Sequence, residues 1–173
     1  MIVTAQSATR VYGPGRSSSE TRWYVAEGAT LELRSEPLLL FAGADYRAET
    51  SIVLAAGSRL LAFEVTGLAE PFDACAHLTT VVRRNSKLGL RDALTLDRRT
   101  LAGHAVGSLV AYGYDVCVPN DVEETKIGLG STLDGGTFLR VMSPKIWSVK
   151  AVLERAAVRE TAQPEILRGQ LGV

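Results

Sequence analysis

The sequence predicts a mainly β protein: an antiparallel or coiled β-sheet scaffold followed by one or two C-terminal α-helices. Apolar side chains recur at every second position in several segments between residues 29 and 142, which is the period of a strand with one buried face. After residue 143 the apolar spacing changes to three and four, the period of an amphipathic helix. A chain of 173 residues is long enough for one domain with a sizeable core, so residues 1–173 are predicted to form a single domain.

The first predicted strand, Ala29–Arg34, alternates apolar and polar residues without interruption. Pro37 cannot donate a backbone hydrogen bond and biases Glu36 toward extended geometry. We therefore expect a bend at this dipeptide, followed by a short strand at Leu38–Phe41 whose side chains fill the core. The small residues Ala42–Ala44 then permit a tight turn.

Longer alternating segments follow as far as residue 142. The predicted strands span Asp45–Leu54, Arg59–Thr66, Ala76–Arg84, Leu88–Leu96, Ala105–Tyr112 and Thr137–Met142. Ala55–Ser58 is interpreted as a hairpin-like connection between the first two of them. Residues 11–22 are rich in Gly, Ser and Pro and are predicted to be a mobile loop. Residues 113–135 are predicted to be a solvated loop with an acidic run at Asp121, Glu123 and Glu124.

The predicted helix begins after Ser143, which can cap it, with Pro144 at the first helical position. It should extend for roughly four turns and cover one face of a sheet. Its apolar residues are Ile146, Val149, Val152, Leu153 and Ala156. The outward face carries Lys145, Lys150, Glu154 and Arg155, and the alternative interpretation is that these residues bind a partner protein. A further helical turn is predicted at residues 164–170.

Composition limits the classes of function that the chain can have. Nineteen basic residues balance nineteen acidic ones, so no net charge attracts the chain to nucleic acid or to an anionic membrane. The N-terminal residues lack the pattern of a signal peptide, and no apolar run approaches the ~20 residues of a membrane-spanning helix. Two cysteines do not make a disulfide framework. A cytoplasmic protein with protein partners is the expectation.

Motifs of catalysis are absent. The sequence has no phosphate-binding GxxxxGK[ST] loop, no dinucleotide-binding GxGxxG, and no GxSxG, HExxH or CxxC. Gly128–Ser131 is too short a glycine pattern to bind a nucleotide by itself. These absences favour a protein that is not an enzyme.

Two alternatives remain open. Cys75 and His77 are two residues apart, so on a strand they project from the same face, and His104 from another strand would complete a three-ligand metal site in a β-barrel enzyme. The other alternative is a β-sandwich that binds a sugar or a peptide. An exposed row of aromatic side chains would favour it, but Trp23, Tyr24 and Trp147 are predicted to pack in the interior.

Three segments carry a family resemblance. They are TAQSATRVYG at residues 4–13, WYVAEGATLELRSEPLLLFAGADYRAETSIVLAAGSRLLAFEVTGL at residues 23–68, and LGLRDALTLD at residues 88–97. In order and spacing this sequence resembles the urease accessory protein family UreD, also called UreH. The resemblance covers most of the chain. It departs from the family in that the strands usually found ahead of Thr4 are not seen, and in that residues 67–72 lack the arginine that usually follows the glycine.

The resemblance implies a non-catalytic chaperone of urease maturation. Proteins of this family bind the urease apoprotein together with UreF and the GTPase UreG and help to insert nickel into the urease active site. No tightly bound cofactor is expected, only nickel in transit. Carboxylates on the polar faces of strands are the candidate contacts for nickel: Glu32, Glu36, Asp45, Glu64, Glu70 and Asp92.

Overall fold

The computed structural model describes residues 1–4, 7–68, 73–101, 104–119, 124–157 and 159–160. Its elements are β1 (Ile2–Thr4), β2 (Thr9–Val11), β3 (Gly15–Val25), β4 (Thr30–Arg34), β5 (Leu38–Leu40), β6 (Ala44–Leu54), β7 (Arg59–Leu68), β8 (Cys75–Arg84), β9 (Lys87–Leu96), α1 (Arg98–Leu101), β10 (Ala105–Tyr112), β11 (Tyr114–Asp115), β12 (Lys126–Ser131), β13 (Thr137–Ser143), α2 (Ile146–Ala156) and β14 (Arg159–Glu160). The mainly β class and the C-terminal helix predicted from the sequence are confirmed.

Most of the strands form two stacked sheets, and β11 pairs with β14 in a small separate sheet. The central sheet has the order β1-β4-β7-β10-β13-β12, with β5 pairing with both β2 and β7, and the second sheet has the order β3-β6-β8-β9. From β3 to β8 the chain crosses repeatedly from one sheet to the other, and β3, β6 and β8 consequently pair in parallel. This is a coiled arrangement. The later pairs are antiparallel, so the sheets are mixed rather than antiparallel throughout.

The bend at Glu36-Pro37 has a clear structural role. β4 pairs with the first half of β7, where Thr30 lies opposite Arg59, and β5 pairs with the second half, where Leu38 lies opposite Thr66. The dipeptide therefore separates two short strands that both pair with one long strand. The predicted turn that follows is also present, with Gly43 at a φ of 72°.

Apolar packing divides the molecule into layers. α2 buries Val149, Val152 and Leu153 against one face of the central sheet, together with Leu61 and Phe63 of β7. The opposite face of the central sheet packs on the second sheet through two further apolar clusters. Burial of each such side chain contributes about 1.5–3 kcal/mol. No helix among the described residues is long and apolar enough to cross a membrane.

Two predictions about the first half of the chain are wrong. Residues 11–22 are not a loop: they fall largely in β3, which pairs in parallel with β6 along its whole length. The Gly and Pro residues that suggested a loop occupy the connection before β3 and its first position, and pairing with β6 satisfies the backbone of the serine-rich part. Ala55–Ser58 is not a hairpin connection either, because it joins β6 of the second sheet to β7 of the central sheet.

The second half of the chain also differs from prediction in places. Residues 113–135 contain β11 and β12, although Asp121 and Glu123 lie outside the described residues. α2 has 11 residues, about three turns, and begins after Lys145 with no side-chain cap, so Pro144 precedes the helix. The helical turn predicted at residues 164–170 also lies outside the described residues.

Candidate functional site

A cavity of about 310 Å³ lies between the two sheets. Most of the residues that line it are apolar: Val3, Trp23, Leu33, Ile52, Ala62, Phe63, Leu90, Val110 and Phe138. Polar residues also reach it: Thr21, Arg34, Ser35, Thr50, Glu64, Thr80, Asp92 and Ser108. Because it combines an apolar wall with a few converging polar groups, two of them carboxylates, this cavity is the strongest candidate for a functional site.

The strand register explains why polar residues collect here. On the central sheet Glu64 of β7 lies opposite Ser108 of β10, which lies opposite Arg140 of β13. Cross-strand partners project to the same side of a sheet, so these three side chains form one polar row that faces the second sheet.

A matching row crosses the second sheet. Thr21, Thr50, Thr80 and Asp92 are successive partners on β3, β6, β8 and β9. The two rows face each other across the cavity, and Asp92 and Arg140 join them. Both oxygens of Asp92 accept hydrogen bonds from Nη2 of Arg140, at 2.5 and 2.6 Å.

The ion pair is largely shielded from solvent, because its side chains are 21% exposed for Arg140 and 15% exposed for Asp92. Nη1 of Arg140 is buried and has no hydrogen-bond partner among the residues that the structure describes. The guanidinium also lies 5.3 Å from the ring centroid of Phe138, which is a cation–π distance. Arg140 therefore fixes the position of Asp92 while keeping hydrogen-bonding capacity of its own.

Glu64 differs from Asp92 in its electrostatics. Burial raises the pKa of the Glu64 carboxyl above its ordinary value, and the negative charge of Asp92 raises this pKa further, while Arg140 opposes the shift. The cavity thus holds one carboxylate fixed by an arginine and one carboxyl that takes up a proton more readily than an ordinary glutamate. Such a pair offers weak oxygen ligands whose charge depends on pH.

Glu32, Glu36 and Asp45 are not among the residues that line the cavity. Glu32 accepts hydrogen bonds from Arg34 and from the Tyr114 hydroxyl. Asp45 pairs with Arg16 on the outer face of the second sheet at 2.8 Å. Both carboxylates therefore belong to local ion pairs, Glu32 with Arg34 and Asp45 with Arg16. Glu70 lies outside the described residues.

One contact joins two residues that the sequence assigned to different roles. Nζ of Lys150 donates to Oε1 of Glu36 at 2.8 Å, and this hydrogen bond raises the pKa of Lys150. The Lys150 side chain is only 19% exposed, so its predicted place on the outward face of the helix is wrong. Lys145, Glu154 and Arg155 are exposed as predicted. Their role in partner binding stays a prediction.

The predicted three-ligand metal site is not assembled. Sγ of Cys75 lies 3.5 Å from Nε2 of His77, and Nδ1 of His77 lies 3.2 Å from the Thr95 hydroxyl. His104 does not join this pair: across the described parts of the chain, no three side chains of His, Cys, Asp or Glu lie close enough together to hold a metal ion. Burial also raises the pKa of the Cys75 thiol, which disfavours the thiolate needed in a nucleophile or a metal ligand.

Aromatic side chains depart from prediction as well. Trp23 packs against the inter-sheet core, but Tyr24 is 74% exposed and Trp147 is 62% exposed. The prediction that all three pack in the interior is therefore wrong for Tyr24 and Trp147. Tyr24 lies on the outer face of β3 and Trp147 on α2, so the structure does not gather them into a row.

The sequence analysis missed several residues of the cavity. Ser108 interrupts the apolar strand Ala105–Tyr112, and Arg140 interrupts the strand that ends with Ser143. A polar residue within a buried strand needs a polar partner, so these two interruptions could have indicated a polar site in the interior. The threonines of the second sheet gave no such signal, because Thr is common in any strand.

These features define a class: a coiled β scaffold that encloses a partly polar cavity and is covered on one face by the helix α2. The chain belongs to the UreD urease accessory protein family, whose family model matches residues 1–170. It is 30% identical over 154 residues to urease accessory protein UreD 1 of Methylorubrum extorquens, a match that covers 82% of this chain and 52% of that relative. It is 28% identical over 155 residues to urease accessory protein UreD of Janthinobacterium sp., covering 78% of this chain and 50% of the relative. The chain thus spans about half the length of the curated relatives it matches.

Proposed function

We propose that this chain is a non-catalytic urease maturation factor, forming a single domain in the cytoplasm. It binds the urease apoprotein together with UreF and the GTPase UreG, and it assists the delivery of nickel to the urease active site. The observation that carries the proposal is the match of the UreD family model to residues 1–170. The GTP hydrolysis of the process belongs to UreG.

The cavity supports a role in passing an ion. Nickel is the cargo here, and it accepts carboxylate oxygens as ligands. A route must release what it binds, so a few weak donors suit it better than a closed set of ligands. Glu64 and Asp92 supply such donors, and the hydroxyl groups of the two polar rows extend them along the cavity wall.

Arg140 has a defined part in this proposal. By holding both oxygens of Asp92, it lowers the ability of that carboxylate to retain a divalent cation. Glu64, with its raised pKa, binds a cation in competition with a proton. Both effects favour transient contact over stable coordination.

The first experiment tests the function itself. Cells that produce urease and its accessory proteins are compared with cells lacking this chain, and the nickel content of purified urease is measured. We expect urease from the deficient cells to hold much less nickel, and the tagged chain to co-purify with the urease apoprotein, UreF and UreG. Urease that fills equally well without the chain would overturn the proposal.

The second experiment tests the cavity with Glu64→Gln, which keeps the shape of the side chain but removes its charge. The matched control is Glu49→Gln, at an exposed glutamate on the outer face of the second sheet. We expect Glu64→Gln to lower the nickel content of urease and the control to leave it unchanged. If urease contains equal amounts of nickel with both variants, nickel does not pass Glu64. The chain could then still act as a scaffold for the other proteins.

A further inference from the structure

The hairpin formed by β8 and β9 carries an unusual concentration of positive charge. Its two-residue turn, Asn85-Ser86, has φ angles of 49° and 65°, the geometry of a tight hairpin turn. From residue 74 to residue 91 the sequence contains no acidic residue. The basic residues of this stretch are Arg83, Arg84, Lys87 and Arg91.

Exposed apolar side chains lie among these charges. Tyr24, Val53, Arg83 and Leu88 are successive cross-strand partners on the four strands of the second sheet. Their side chains therefore share the outer face of that sheet. Tyr24 is 74% exposed and Leu88 is 43% exposed. We call Tyr24, Arg83, Lys87, Leu88 and Arg91 the hairpin surface.

The charges of the hairpin surface contrast with those on the other half of the same face. On β3 and β6, Arg16 pairs with Asp45 and Arg22 pairs with Glu20. The outer faces of β8 and β9, which the structure describes along their full length, carry no carboxylate. Arg83 and Arg91 are exposed there, and Lys87, the cross-strand partner of Arg84, is exposed beside them at the tip of the hairpin. Compensating negative charge for this end of the sheet must come from outside these two strands.

We propose that the hairpin surface docks a partner protein through an acidic segment that carries an apolar side chain beside its carboxylates. Arginines beside an exposed aromatic and an aliphatic side chain are the composition of a protein interface. The net charge of the chain is zero, and the hairpin surface holds one aromatic side chain, Tyr24, which offers little for stacking bases, so a protein fits better than a nucleic acid. The proposal rests on the proposed function only for the choice of probe proteins.

The test uses Lys87→Glu/Arg91→Glu, which reverses two charges at exposed positions. The matched control, Arg10→Glu/Lys126→Glu, reverses two exposed charges on β2 and β12 of the central sheet. Binding is measured against purified urease apoprotein, UreF and UreG. A fluorescent peptide of alternating glutamate and leucine and a short single-stranded RNA serve as independent probes. Circular dichroism checks that each variant is folded.

We expect the hairpin variant to lose about tenfold or more in affinity for one of the three proteins and for the peptide, while the control binds as the wild type does. Added salt should weaken the wild type more than the hairpin variant. If the wild type binds the peptide through the hairpin but none of the three proteins, the docking proposal stands and the proposed function fails. Equal binding by wild type and hairpin variant, equal loss in hairpin variant and control, no binding of the wild type to any probe, or preference for RNA would each overturn the docking proposal.

Discussion

The central sheet buries both of its faces, but the two faces differ in kind. Towards α2 it presents Leu61 and Phe63 to a mainly aliphatic cluster that includes Val149, Val152 and Leu153. Towards the second sheet the same strand presents Ala62 and Glu64 to a cavity. Two adjacent positions on one strand therefore meet opposite environments. We infer that close packing on the helix-facing side stabilises the fold, whereas the cavity-facing side is packed less tightly because it forms the functional site.

Truncation on the helix-facing side should have the largest effect. Leu153 is fully buried against the central sheet, so Leu153→Ala removes its packing and leaves a hole. We expect a loss of about 2–5 kcal/mol in the free energy of unfolding, measured by urea denaturation. A loss below about 1 kcal/mol would show that this layer is not the main support of the fold.

Substitutions that add side-chain volume should have the second-largest effect, and their effect should differ between the two faces of the central sheet. A Cβ at Gly107 would lie 2.6 Å from Cγ1 of Val149 and 2.7 Å from Cδ1 of Leu153, and both of these side chains are fully buried. Gly107→Ala should therefore cost about 1–3 kcal/mol in the free energy of unfolding. Ala62→Val adds volume into the cavity instead and should be neutral or stabilise by up to about 1 kcal/mol. Equal destabilisation in thermal denaturation would remove the distinction between the faces.

Breaking the ion pair between Asp92 and Arg140 should have the third-largest effect on stability. Asp92→Asn leaves the guanidinium of Arg140 partly buried without its counter-charge, and we expect a loss of about 1–2 kcal/mol in the free energy of unfolding. The comparison variant is Asp45→Asn, whose partner Arg16 is 82% exposed, and it should change stability much less. In the double variant Asp92→Leu/Arg140→Met, most of the loss should be recovered, since no charge is left unpaired. Failure of that recovery would indicate that the two residues do not act as a pair.

The smallest expected effect is a gain in stability rather than a loss, and it arises at Glu64. The pKa of Glu64 is raised above its ordinary value of 4.5, so the folded protein holds this proton more tightly than the unfolded chain does. Stability from Glu64 is therefore present below the ordinary pKa and is lost as pH rises through the raised one. Glu64→Gln should be more stable than the wild type near neutral pH, and this gain should shrink as the pH falls toward 4.5.

Denaturation of both proteins at several pH values measures this difference, with Glu49→Gln as the exposed comparison. A variant that is more stable but delivers less nickel would separate function from folding. Destabilisation of Glu64→Gln near neutral pH would contradict the assigned direction of the pKa shift.

Much of the fold was predictable because its signals are local. Alternation located most of the strands from residue 29 to residue 142, although it missed β11 and β12. The bend at Pro37 and the turn at Gly43 follow from the chemistry of those residues. β3 was missed because its exposed first half begins with Gly15 and contains three consecutive serines, which are typical of a loop. Pairing with β6 stabilises that strand, and this pairing has no signature in the local sequence.

The candidate site was less predictable. Glu64 and Asp92 were among the carboxylates selected from the sequence, but nothing in the sequence separated them from Glu36, which pairs with Lys150 instead. A carboxylate on an alternating strand has the same pattern whether it faces a cavity or a lysine. The distinction depends on which element packs over it.

The sequence by itself determined the class of fold, the covering helix and the absence of familiar catalytic motifs, because each follows from residue type and short-range spacing. Tertiary structure alone decided that Glu64, Ser108 and Asp92 line one cavity and that Arg140 pairs with Asp92 beside it. Their positions lie up to 76 residues apart, and only the register of four strands and the stacking of two sheets bring them together. Register and stacking depend on the packing of the whole chain, and for that reason local patterns do not reveal the site.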